Sequence, residues 1–200
     1  MTFIQALLLG ILQGATEFLP VSSSGHLVIF PHLLGWSEPG LAFDTLLHLG
    51  TLAAVIFYFR RELWQLAVAV WDSLRRRKLD TAEARLAWFL VLATIPGALL
   101  GLLFEDQVEQ LFGMPRTVAI FLLVTAALLA LSELLSRRSR GLETLTWRDA
   151  LIIGLAQAAA ILPGLSRSGA TIAAGLLLGY RREESTRFSF LLAIPIVLGG

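Results

Sequence analysis

Thirteen residues, Leu162 to Ala174, read L-P-G-L-S-R-S-G-A-T-I-A-A, a polar island between two apolar stretches. Arg167 stands among Ser166, Ser168 and Thr171, with Gly164 and Gly169 freeing the backbone. An arginine in apolar surroundings is costly unless it faces a partner, so it marks a site by default. Arginine, hydroxyls and glycine-freed N–H groups at a helix start together suit a phosphate or similar oxyanion. A second island, Phe18 to Leu27, reads F-L-P-V-S-S-S-G-H-L and follows Gln13 and Glu17. Glu17 is the only carboxylate of its apolar stretch, and the i, i+4 spacing puts it on one helical face with Gln13. His26, sharing the island with Ser22, Ser23, Ser24 and Gly25, is a candidate acid–base group or nucleophile. The serines equally suit the backbone of a tight turn. Asp44 and His48 form another i, i+4 pair at the entrance of the first span, either backing the groups of the site or simply interfacial, with the interfacial reading slightly preferred.

These groups must be carried by membrane elements. Hydrophobic residues make up 56% and charged ones 16%, with mean hydropathy +0.74, which excludes an ordinary soluble domain. Without cysteine, neither a disulfide framework nor a thiolate metal site is open to the chain. No cleavable signal peptide is evident, because the first apolar run lacks a basic start. Three runs, Leu41–Phe59, Leu86–Phe104 and Thr117–Leu135, approach the roughly 20 residues a bilayer requires. Four shorter runs flank the islands: Phe3–Leu19 with Leu27–Trp36, and Ala150–Leu162 with Ala170–Tyr180. Interrupted by Pro, Gly and Ser, they read as half-helices that enter the membrane and turn back. The two pairs are copies: Ala6, Gly10, Gln13, Ser22, Ser24 and Gly25 fall on Ala150, Gly154, Gln157, Ser166, Ser168 and Gly169.

Of the 16 Lys and Arg, all but Arg116 and Arg167 lie in Arg60–Arg85, Arg137–Arg148 and Arg181–Arg187. The positive-inside rule puts those segments in the cytoplasm and an acidic loop with Glu105, Asp106 and Glu109 outside. Three spans between the copies invert the second relative to the first. The first island then dips in from the extracytoplasmic side, and the two meet near mid-membrane. Trp36, Trp64, Trp71, Trp88 and Trp147 read as an aromatic belt. The run Arg75–Lys78 reads as an orientation signal attracted to anionic lipid, with no nucleic-acid partner. The expectation is an all-α, polytopic integral membrane protein with an inverted repeat and two re-entrant helix–loop–helix pairs. It is one membrane domain, 1–200, with the first repeat about 1–135 and the second from about 149. The apolar run from Phe188 stops at Gly200, and repeat symmetry leads us to expect further helices in the whole protein.

Gln13–His26, Q-G-A-T-E-F-L-P-V-S-S-S-G-H, with Pro163–Thr171, P-G-L-S-R-S-G-A-T, resembles the undecaprenyl-diphosphate phosphatase family, the bacterial bacitracin-resistance proteins. The resemblance implies a bacterial inner-membrane enzyme that removes the terminal phosphate of a C55 isoprenyl diphosphate, recycling the lipid carrier for cell-wall synthesis. It implies Glu17, Ser23, His26 and Arg167 as catalytic residues. Ser22, Ser24, Gly25, Ser166, Ser168, Gly169 and Thr171 are then substrate-binding. The family's E/Q-x-x-x-E motif falls on Gln13 and Glu17, the expected side of a divalent cation. With Gln at position 13, Mg²⁺ or Ca²⁺ would be held mainly by the substrate diphosphate. Ser23, His26 and water all remain open as nucleophile. The partners implied are a polyprenyl diphosphate lipid and the membrane, with room for a homodimer. The rival reading is a transporter or flippase of the polyprenyl phosphate lipid, since inverted repeats with broken helices also build transporters.

Overall fold

A computed structural model describes residues 1–37 and 39–199; the side chains of Leu41 and Glu105 are outside that description. Of the residues used above, the Glu105 side chain and Gly200 therefore lie outside the described residues. The chain folds as α1 (Phe3–Phe18), α2 (Ser23–Leu34), α3 (Leu41–Arg76), α4 (Ala82–Phe112), α5 (Pro115–Leu135), a 3₁₀ turn (Leu142–Thr144), α6 (Trp147–Ala159), α7 (Arg167–Leu177) and α8 (Arg182–Gly199). It is an all-α membrane protein. Ala42–Arg76, Ala82–Phe104 and Pro115–Leu135 are long and apolar enough to cross a bilayer, in the three places the sequence indicates.

Local chemistry sets the ends. Thr2 and Gln5 form a capping box at α1, and Thr146 and Asp149 form another at α6. Two expected boundaries are corrected. The islands are not loops ahead of Leu27 and Ala170. They are the first turns of α2 and α7, because Ser22 and Ser166 each accept a hydrogen bond from the N–H three residues on, at Gly25 and Gly169. The acidic stretch is not a loop either. α4 kinks at Phe104 and continues to Phe112, since no Gly or Pro intervenes before Gly113. Likewise α3 runs far past Phe59, and its 36 residues reach about 54 Å, longer than the hydrocarbon is thick. Trp88 Nε1 donates to Ser73 Oγ at 3.0 Å and ties α4 to α3.

The short helix α7 is the axis of the packing. Every residue from Ser168 to Leu176 is buried, among α5, α6 and α8. α6 lies against α4 so closely that a Cβ on Gly154 would come within 2.6 Å of the Ala93 carbonyl oxygen. Close approach of this kind, through small residues, is how helices associate where lipid offers no hydrophobic gain.

Candidate active site

α1 ends at Phe18, and the chain turns through Leu19–Val21 into Ser22, which adopts a left-handed conformation at φ 69°. α6 ends at Ala159, and the chain turns through Gly164, at φ 93°, into Ser166. Each turn delivers a helix N-terminus toward the same point, α2 with Ser23 and α7 with Arg167 first. The two turns also touch reciprocally. A Cβ on Gly25 would lie 3.0 Å from Gly164 Cα, and a Cβ on Gly169 would lie 3.0 Å from the Pro20 carbonyl oxygen. Positions 20 and 25 match 164 and 169 at the spacing that carries Ser22 onto Ser166. Any side chain at either glycine would push the two helix starts apart.

Between them is a cavity of about 100 Å³, bordered by Glu17, Ser22, Ser23, Ser24, Ser166, Arg167, Ser168 and His48. A smaller pocket of about 20 Å³ adjoins it and shares Glu17, His48 and Arg167. Glu17 is the hub. Its Oε1 accepts from Arg167 Nη2 at 2.7 Å. Its Oε2 accepts from Ser23 Oγ at 2.5 Å and faces His48 Nε2 at 3.4 Å and Gln13 Nε2 at 3.5 Å. The Glu17 side chain is 14% exposed and that of Arg167 22%, so the pair is shielded but reachable. Arg167 Nη1 is buried with no hydrogen-bond partner among the described residues. A buried guanidinium N–H is costly to leave unmet, so this donor points to an acceptor that arrives from outside. Two helix N-termini converging on the cavity add positive potential of the same sign.

Not every expected residue joins the cavity. Gly25 and Gly169 act through the close approach just described. Thr171 turns away: its Oγ1 lies 2.9 Å from the Arg167 carbonyl oxygen and 2.7 Å from Ser189 Oγ, joining α7 to α8. The His26 ring sits with Nδ1 2.8 Å from the Ser22 carbonyl oxygen and packs by Phe30, outside the cavity. Gln13 is buried beside Glu17, its amide donating to Thr51 Oγ1 at 3.3 Å. His48 reaches Glu17, which matches the site-backing reading of the Asp44–His48 pair and not the preferred interfacial one; the i, i+4 relation was visible in sequence, its target was not. Among the described residues no cluster of three or more His, Cys, Asp or Glu could hold a metal ion.

A family model for bacitracin resistance protein BacA matches residues 6–200. Undecaprenyl-diphosphatase of Pelobacter propionicus is 48% identical over 200 residues, covering 100% of this chain and 73% of its own length. Undecaprenyl-diphosphatase 2 of Stutzerimonas stutzeri is 50% identical over 201 residues, covering 99% and 74%. Undecaprenyl-diphosphatase of Moorella thermoacetica is 45% identical over 199 residues, covering 100% and 74%.

Proposed function

The chain belongs to the bacitracin resistance protein BacA family, and from that premise we propose how its site performs the reaction its relatives are named for. That reaction is the dephosphorylation of undecaprenyl diphosphate by a membrane-embedded hydrolase, a step in supplying the lipid carrier of cell-wall synthesis. The observation that carries the reading is the unpartnered Arg167 Nη1 beside an Nη2 engaged by Glu17. A phosphoryl oxygen entering the cavity meets Nη1 and draws the guanidinium into two-pronged contact. The hydroxyls of Ser22, Ser24, Ser166 and Ser168 take the other oxygens. Glu17, released by Arg167 and already 2.5 Å from Ser23 Oγ, accepts the serine proton. Ser23 Oγ then forms a bond to the terminal phosphorus as the bridging P–O bond breaks, and undecaprenyl phosphate leaves, taking the proton from Glu17. Water attacks the phosphoserine, releases inorganic phosphate and restores Ser23. His26 holds the first turn of α2 through the Ser22 carbonyl.

A divalent cation would supply charge neutralisation to a diphosphate. The side chains here do not form a cage for one. Among the described residues Glu17 is the lone carboxylate at the cavity, and it faces the donors Arg167, Ser23, His48 and Gln13. A cation carried on the diphosphate is the arrangement this leaves, and no step above is routed through it.

The site opens to the extracytoplasmic side of the bacterial inner membrane. In support, ion pairs gather the basic segments at one end of the bundle, Arg187 with Glu62 at 2.6 Å and Arg182 with Glu133. His48 precedes Glu62 by fourteen residues of α3, placing the site about 21 Å from that end. The two copies are related as an inverted repeat of re-entrant pairs, a relation supported by the reciprocal glycine contacts.

Purified protein in detergent should release phosphate from undecaprenyl diphosphate, and Ser23→Ala should lose turnover by at least about 10²-fold. Undiminished turnover in Ser23→Ala would move the nucleophile to water. For orientation, cysteines at the exposed Ser37 and Glu143 suffice, since the chain has none. An impermeant maleimide on spheroplasts should label the first and spare the second; the reverse would put the site on the cytoplasmic face.

A further inference from the structure

Glu17 is held from a direction that neither polar island supplies. His48 belongs to α3 and points Nε2 at Glu17 Oε2, while its Nδ1 lies 2.8 Å from the Asp44 backbone carbonyl oxygen. A carbonyl only accepts, and so does a carboxylate, so the ring faces an acceptor on both sides and serves as a donor. Three residues on, Thr51 accepts from Gln13. His48 and Thr51 thus form two rungs of one seam, joining α3 to the Gln13–Glu17 face of α1. Of the described α3 residues, His48 alone borders the larger cavity.

Resting on the reading that Arg167 leaves Glu17 for the diphosphate, we infer that His48 is the positioning residue that keeps Glu17 against Ser23 once substrate is bound. Before substrate enters, Oε1 is held by Arg167 and Oε2 by Ser23 and His48, with Gln13 Nε2 at a longer 3.5 Å and shared with Thr51. When a phosphoryl group takes Arg167, Glu17 loses its guanidinium and gains an anion as neighbour. Repulsion then drives the carboxylate away from Ser23, at the moment it must receive the serine proton. His48 opposes that rotation from the far side of Oε2. The other groups facing His48 cannot substitute: Asp44 is itself an acid, and Arg167 is engaged. From α8 only Phe190, Ala193 and Val197 line this pocket. The role requires a hydrogen-bond donor at this point, not the volume of a ring.

The test uses the full chain, purified in detergent, with undecaprenyl diphosphate as substrate. His48→Ala and His48→Phe should lower kcat by about tenfold, the scale of one hydrogen bond to a charged group, with KM within about twofold. His48→Gln, whose amide can donate from the same side, should regain most of the lost kcat. Rescue by Phe as good as by Gln would make His48 a packing residue and overturn the inference. So would a kcat in His48→Ala equal to that of the unaltered protein. If His48→Ala proves too unstable to assay, the Gln and Phe variants, matched for thermal midpoint, still decide. Arg167→Ala separates the two levels: if it keeps full turnover, the reading of the site itself fails. If it is inactive while all His48 variants turn over normally, only the role of His48 falls.

Discussion

Two of the arginine–carboxylate pairs in this molecule, at the two ends of α7, are built to opposite purposes. At the C-terminal end of α7, Arg140 engages all three nitrogens of its guanidinium. Nε donates to Thr144 Oγ1 at 3.3 Å, Nη1 to the Leu178 carbonyl at 3.0 Å, and Nη2 to both the Thr144 carbonyl and Asp149. Asp149 Oδ2 also accepts from Thr146 at 2.8 Å and from the Tyr180 hydroxyl at 2.7 Å, and the guanidinium lies over the Tyr180 ring. Backbone N–H groups of Ser139 and Arg140 donate to the Gly179 carbonyl. The cluster pins the C-terminal end of α7 to the segment entering α6. At the other end of α7, Arg167 meets its carboxylate at a comparable 2.7 Å but leaves Nη1 unanswered. The distances scarcely differ; the completeness of the donor count does. A pair whose every nitrogen is engaged is a fastening, whereas one with a buried nitrogen left over keeps a donor for an incoming acceptor, the role proposed above for Arg167.

The two pairs should therefore fail differently. Arg167→Ala should cost hydrolysis at least about 10³-fold while leaving the thermal midpoint in detergent nearly unchanged. Arg167→Lys should recover little, because a point charge lacks the planar fork. Turnover near that of the unaltered protein in Arg167→Lys would show that no two-pronged contact is made. Arg140→Ala should do the reverse. Losing the arginine, 31% exposed, of a pair whose carboxylate is 10% exposed should cost about 1–3 kcal/mol of stability, read as a lowered midpoint. Turnover per folded molecule should stay within a few-fold. A selective loss of kcat with no change in midpoint would break the contrast.

The smallest effect is one of pH. Burial alone would raise the Asp149 carboxyl, but hydrogen bonds from Arg140, Tyr180 and Thr146 outweigh it and hold it below its ordinary value of 3.8. A depressed carboxyl stabilises the fold above its unfolded pKa, and that contribution is lost as pH falls through the folded value. The stability difference between the unaltered protein and Asp149→Asn should be full near neutrality and shrink below about pH 4. A difference independent of pH would mean that Asp149 acts by shape and not by charge.

Much of this was legible in order along the chain. The three spans follow from runs of apolar length, because lipid leaves a helix no alternative way to satisfy its backbone. The matched Ser-x-Ser-Gly segments mark both islands, and their serines do the same work in each copy: Ser22 and Ser24 lie 3.3 Å apart, Ser166 and Ser168 3.2 Å. Element ends were less legible. Capping serines draw a polar segment into the helix it precedes, so α2 and α7 begin earlier than their apolar runs. Matched positions also diverge in use. Gln13 lies beside Glu17, whereas its counterpart Gln157 donates to the Ala93 carbonyl at 3.4 Å.

The sequence by itself determined that the protein lives in a membrane and that it is helical, and it marked two polar islands, one with Glu17 ahead of its serines and one around Arg167, as the places to look for a site. Composition, periodicity and residue type are local quantities, and they can be read without knowing what lies across the fold. Only the tertiary structure decided which donors Glu17 keeps, that Arg167 retains a free N–H, and that Thr171 and the His26 ring face elsewhere. It also brought His48 in from a spanning helix. A side chain's direction and its count of satisfied hydrogen bonds depend on neighbours 31 to 150 residues away, from His48 and Arg167 to Glu17. No spacing rule along one helix encodes them.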